Sequence, residues 1–100
     1  MRAPEEVTRD LVRQWVLKAE EDFGVAKYLV AENTPYLRAV GFHAQQAAEK
    51  LLKALLVRHQ IEFPKTHNLG ELLDLVASVD RHLAESLWDV TALNPYAVYM

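Results

Sequence analysis

The sequence contains no cysteine, only three glycines, and no uncharged stretch near the ~18 residues that a membrane span requires. Disulfides and thiol nucleophiles are thereby excluded, and a metal site would have to be assembled from His, Asp and Glu. The four histidines, at 43, 59, 67 and 82, show no His-x3-His spacing, so neither zinc nor a cofactor is expected. The isolated glycines form no phosphate loop. No window alternates apolar and polar residues over strand length, which removes a β-sheet from consideration. The start of the chain, Met1-Arg2-Ala3-Pro4-Glu5-Glu6, lacks the apolar run of a signal peptide, so a soluble cytoplasmic protein with no membrane association is expected.

What is present is 100 residues, about half of them apolar, enough for one modest core and therefore a single domain over residues 1–100. The net charge of −3 argues against a protein that coats DNA through bulk electrostatics. That average hides a pattern. Residues 1–34 carry five basic and seven acidic side chains, 35–70 five and two, and 71–100 one and five. An anionic ligand would be sought in the basic middle third, which also holds His43, His59 and His67.

Prolines at 4, 35, 64 and 95 divide the chain into segments that read as helices. Leu11, Val12, Trp15, Val16, Ala19, Phe23, Ala26, Leu29 and Val30 recur at helical spacing and predict a first helix over about 6–32. Thr34 as a cap and Pro35 at the first helical position would open a second helix, running from about 37 to 60. Gly24, Gly41, Ala44 and Ala48 would let the two pack closely as an antiparallel hairpin. After a loop, the capping pattern of Asn68 and Glu71 predicts a short third helix over about 69–77. Asp80 caps a fourth, with Leu83, Ala84, Leu87, Trp88 and Thr91 facing inward and an end before Asn94-Pro95. The expected architecture is an all-α, four-helix up-and-down bundle of two long and two shorter helices.

Helix two carries the most information. At 100° per residue from His43, Ala44, Ala48, Leu51, Leu52, Leu55 and Leu56 fall between roughly 80° and 220°. Gln46, Glu49, Lys50 and Lys53 fall between roughly 240° and 340°. One arc is expected to serve the core, the other to present His43, Gln46, Lys50 and Lys53 to a phosphate or to a partner's carboxylates. The plain alternative is a solvated face, with Glu49 and Lys53 as an ordinary i,i+4 pair. Lys65 and His67 flank the opening of the third helix, where free N–H groups favour an anion, although Thr66, His67 and Asn68 could simply satisfy that helix end. Trp15, Phe23 and Trp88 occupy inward positions and are expected in the core rather than as stacking platforms.

With the segment Phe42-His43-Ala44-Gln45-Gln46-Ala47-Ala48-Glu49-Lys50-Leu51-Leu52-Lys53 and the loop Lys65-Thr66-His67-Asn68-Leu69 in view, the chain resembles the HEPN family. These are small prokaryotic helical domains often encoded beside a minimal nucleotidyltransferase. Trp15, Ala19, Glu20, Asp22, Ala26 and Leu29 are similar to the family's first helix, and Asn94 to Tyr99 to the entry of its last. Members usually continue into Arg-Tyr-Pro and a final helix, which do not follow here, so the resemblance implies apolar surface left uncovered or handed to a partner.

The resemblance also implies nucleotide or RNA association, homodimerisation, and toxin–antitoxin pairing with the nucleotidyltransferase. Some members are metal-independent ribonucleases with an Arg-x4-6-His motif, and Arg38-Ala39-Val40-Gly41-Phe42-His43 fits that spacing. In such a role His43 would move a proton at the ribose 2′-hydroxyl and Arg38 would stabilise the phosphorane-like transition state. Five residues apart on a regular helix, the two point about 140° away from each other. They would converge only with Arg38 on a pre-helical turn or across a dimer. Three readings stand: a dimeric nucleotide- or RNA-associated interaction module, an endoribonuclease, and a structural bundle without a ligand.

Overall fold

The computed structural model describes residues 3–97, and all its regular structure is helical. Helix α1 spans Pro4–Ala31, α2 Leu37–Arg58, α3 Leu69–Ala77 and α4 Arg81–Ser86, followed by 3-10 turns over Trp88–Tyr96. Pro4 opens α1 where its missing N–H costs nothing, and Glu5 and Glu6 complement the dipole of its first turn. Asn33, at φ 53°, ends the helix in the left-handed region that asparagine tolerates. α2 starts at Leu37, as expected, but Thr34 and Pro35 do not open it as cap and first helical residue. Thr34 Oγ1 accepts from the Tyr36 N–H at 3.2 Å, and the helix begins at Leu37, so the Thr34-Pro35 pair forms a turn ahead of it.

α2 closes with Gln60 at φ 58° and a bond from Ile61 N–H to the Leu56 carbonyl at 2.9 Å, the six-to-one closure of a Schellman turn. That turn drops Ile61 and Phe63 onto the main core. The core joins Leu52 and Leu56 of α2 to Leu69, Leu72, Leu73 and Val76 of α3 and Ala84 of α4. Each fully buried leucine contributes about 1.5–3 kcal/mol, which is why this half of the molecule holds its shape. α1 lies apart from it. Among the helices it packs on α2 alone, through the buried alanines Ala19, Ala26, Ala47 and Ala54.

Two expectations about glycine fail. A Cβ on Gly24 would meet open space, so this residue is not where α1 and α2 approach. Gly41 does mark a close approach, but to the 3-10 turns: a Cβ there would lie 2.6 Å from Tyr96 Cγ. The fourth helix also stops early. Ser86 Oγ bonds the Leu83 carbonyl at 2.7 Å and Leu87 N–H is shared between the Leu83 and Ala84 carbonyls, which tightens the last turn. The 3-10 turns then run through Asn94 and Pro95. Asn94 Oδ1 accepts from Leu69 N–H at 2.8 Å, while Asn68 Oδ1 caps Gly70 N–H at 2.9 Å, so two asparagines share the opening of α3.

Candidate functional site

The polar arc of α2 meets acids and a loop rather than open water. Asp22, on the flank of α1, accepts from Lys50 Nζ and pairs with His43 Nδ1 at 2.9 Å. On the same helix, next to Lys50 in sequence, Glu49 pairs with His67 Nδ1 at 2.7 Å and accepts from Lys53 Nζ at 2.9 Å and Gln45 Nε2 at 3.2 Å. Gln45 is wholly buried, donates also to the His67 carbonyl at 3.0 Å, and accepts from Gln46 Nε2 at 2.8 Å. Among the described residues no buried side-chain polar atom lacks a partner. The network is closed, as a buried polar cluster must be if it is not to destabilise the fold.

The same network places aromatic rings over a cation. Lys53 Nζ lies 5.6 Å from the centroid of Trp15 and 5.8 Å from that of Phe63, and the two rings meet edge to face at 6.3 Å. Lys18 covers Trp15 at 5.7 Å. Burial pushes the carboxyls of Asp22 and Glu49 upward, but their hydrogen bonds outweigh it: Lys50 and His43 lower Asp22, and Lys53, His67 and Gln45 lower Glu49. Both are therefore ionised at neutral pH.

These positions correct the expectation that His43, Gln46, Lys50 and Lys53 form one outward stripe. Lys53 is buried, Gln46 is tied to Gln45, and His43 and Lys50 share Asp22, each partly exposed at the α1/α2 edge. His67 belongs to the Glu49 cluster with its ring largely exposed, whereas Lys65 on the same loop is exposed and makes no side-chain hydrogen bond or ion pair among the described residues. The expectation that Thr66, His67 and Asn68 jointly satisfy the third helix holds for Asn68; Thr66 Oγ1 accepts from Asn68 N–H, and His67 turns to Glu49. Arg38 is exposed at the second position of a regular α2, not on a pre-helical turn, so within one chain it stays on a different side from His43. No group of three or more described His, Asp or Glu side chains is placed to hold a metal ion. No helix among the described residues is long and apolar enough to cross a membrane.

What α2 leaves open is one edge of its apolar arc; Leu52 and Leu56 are in the core. Leu51 is 47% exposed and Phe23 56%, and both border a groove that has α2 as its floor and α1 and the 3-10 turns as its walls. Its depressions of about 420 and 350 Å³ share Ala48 and Leu51, with Val16, Val90 and Leu93 along the sides. Ala44 and Ala48 line this groove beside Ala19 and Phe23 of α1. Phe23 and Trp88, expected in the core, are exposed. Asp22, Gln45 and Glu49 are the residues that sequence alone does not single out as centres. For the two on α2 the one local sign is angular: at roughly 200° Gln45 stands inside the apolar arc, and at roughly 240° Glu49 stands beside it.

No curated protein and no solved structure matches the chain. The HEPN domain family does match, over residues 12–99, a span that holds both acid-centred clusters, the Lys65–Leu69 loop and the groove. With that match over most of its length, the chain belongs to the HEPN domain family, whose members are nucleotide- and RNA-related helical modules.

Proposed function

We propose that this protein is a dimeric HEPN interaction module that acts as the toxin–antitoxin partner of a minimal nucleotidyltransferase in the cytoplasm. The observation that carries the reading is a contrast on α2: its hydrogen-bonding arc is occupied within the fold, while one edge of its apolar arc, at Leu51, stays open even though Leu52 and Leu56 of the same arc are in the core. An exposed apolar groove of this length fits a protein partner, and a second copy is the occupant assigned to it. Nucleotide, RNA or the nucleotidyltransferase would then engage the edge where His43, Gln46, Lys50, Lys65 and His67 stay at least partly exposed. Sedimentation of the wild type and of Leu51→Glu tests the dimer. The wild type should sediment as a dimer and the variant as a folded monomer; a monomeric wild type refutes the reading. Lys50→Glu and Lys65→Glu should weaken RNA or nucleotidyltransferase binding without changing the dimer.

One observation favours a second reading, the metal-independent endoribonuclease. Asp22 holds His43 by Nδ1, which orients the ring and leaves Nε2 as the nitrogen free to exchange a proton. Arg38 would have to reach it across the dimer. Incubation with RNA in EDTA separates the two: intact, bound RNA supports the module, and cleavage that disappears in His43→Ala supports the enzyme.

A further inference from the structure

A second depression lies between α3 and α4, away from the groove and from both acid-centred clusters. It encloses about 360 Å³ and is lined by Leu73, Asp74 and Ala77 of α3, Arg81, Ala84 and Glu85 of α4, and Trp88. Leu73 and Ala84 are buried and make an apolar floor. Trp88 is 47% exposed and leans over α3, with Cη2 3.7 Å from where a Cβ on Gly70 would stand. Asp74, Arg81 and Glu85 are exposed on the rim, and none has a side-chain hydrogen bond or ion pair among the described residues.

An open indole beside two unpaired carboxylates fits a cation. The electron-rich face of Trp attracts positive charge, and the carboxylates supply acceptors for its N–H groups. The surroundings have the same sign: residues 71–100 carry five acidic side chains against Arg81 alone, a net of −4. An anionic ligand would meet two carboxylates for one guanidinium, and an uncharged ring would desolvate those carboxylates without replacing their hydrogen bonds. Among cations, a planar guanidinium can lie flat on the indole and still present its edge to carboxylates, which a spherical ammonium cannot do.

We propose that this pocket seats an arginine side chain presented by a partner polypeptide, stacked on Trp88 and paired with Asp74 and Glu85. Arginine over an exposed tryptophan in a concave site is the kind of anchor around which protein interfaces form. The site is independent of the dimer groove and of the His43 edge, so the proposal stands or falls apart from the functional reading above.

The test is an NMR titration of the full-length 15N-labelled chain with N-acetyl-arginine methylamide, using its uncharged citrulline counterpart as control. The two indole N–H signals are assigned with Trp88→Phe. With the arginine compound the Trp88 indole signal should move and saturate with a Kd of about 1–10 mM, as a single anchor outside its interface would bind, while the Trp15 signal stays in place. Citrulline should leave both unmoved, and Asp74→Asn combined with Glu85→Gln should weaken binding at least about fivefold. A static Trp88 signal, an equal shift with citrulline, or full binding by the double variant overturns the proposal. An equal shift with spermidine also overturns it, because diffuse attraction of any cation would then suffice.

Discussion

Asp22 and Glu49 each receive a histidine Nδ1 and a lysine ammonium, yet they sit in different surroundings and so do different work. Glu49 and Lys53 are both buried, joined by Gln45, and their histidine arrives from a loop eighteen residues downstream. Asp22 joins two helices near the surface, and its histidine and lysine both remain partly exposed. The same set of donors thus fastens a loop in one place and poises a ring at the surface in the other. Burial is what separates them, because an ion pair out of water depends wholly on its partner.

The comparison breaks most sharply at Glu49. Glu49→Gln leaves the ammonium of Lys53 buried without a counter-charge and should cost about 3–5 kcal/mol in urea unfolding, a large share of the ~5–15 kcal/mol typical of such domains. A cost below that of Asp22→Asn would reverse the ranking. Acid should act through both sites. Each carboxyl is held below its ordinary value, 3.8 for Asp22 and 4.5 for Glu49, so their pairing contributes fully above those values and is lost as pH falls through the lowered, folded ones. The fall in urea midpoint from pH 7 to pH 3 should therefore shrink in Glu49→Gln more than in Asp22→Asn. At neutral pH Asp22→Asn should cost about 1–2 kcal/mol, since water can reach Lys50 and His43 once the acid is gone. The two histidines mark the small end of the scale. His67→Ala should cost about 1 kcal/mol or less and speed amide exchange in the 59–68 loop. His43→Ala should leave the unfolding midpoint near that of the wild type while removing whatever chemistry the edge performs.

Much of this architecture is legible in the residues. Apolar spacing gives α1 and α2 to within two residues at each end, and the Asn68 and Asp80 caps locate α3 and the start of α4. These signals are local, and helix formation answers to them. The helical wheel misleads on a different matter. It separates Lys53 from Leu52 correctly but says nothing of what stands opposite, and Lys53 is buried because Glu49, Trp15 and Phe63 receive it. Partners 18 to 28 residues away in sequence leave no periodic trace. Leu51 shows the converse, an apolar residue on the correct arc with no element of the described chain to cover it. The early end of α4 is hidden for a subtler reason: Ser86 and Thr91 hydroxyls donate back to the Leu83 and Trp88 carbonyls and Leu87 N–H is shared between two carbonyls, a local tightening the apolar spacing does not record.

Lys53 above Trp15 has one more consequence. The indole's emission is sensitive to the charge and water around it, so the wavelength of that light reports whether Phe63 and the loop bearing His67 are seated. In a Trp88→Phe background the protein carries its own optical gauge of loop docking, readable in real time during partner addition or acid titration without any attached dye.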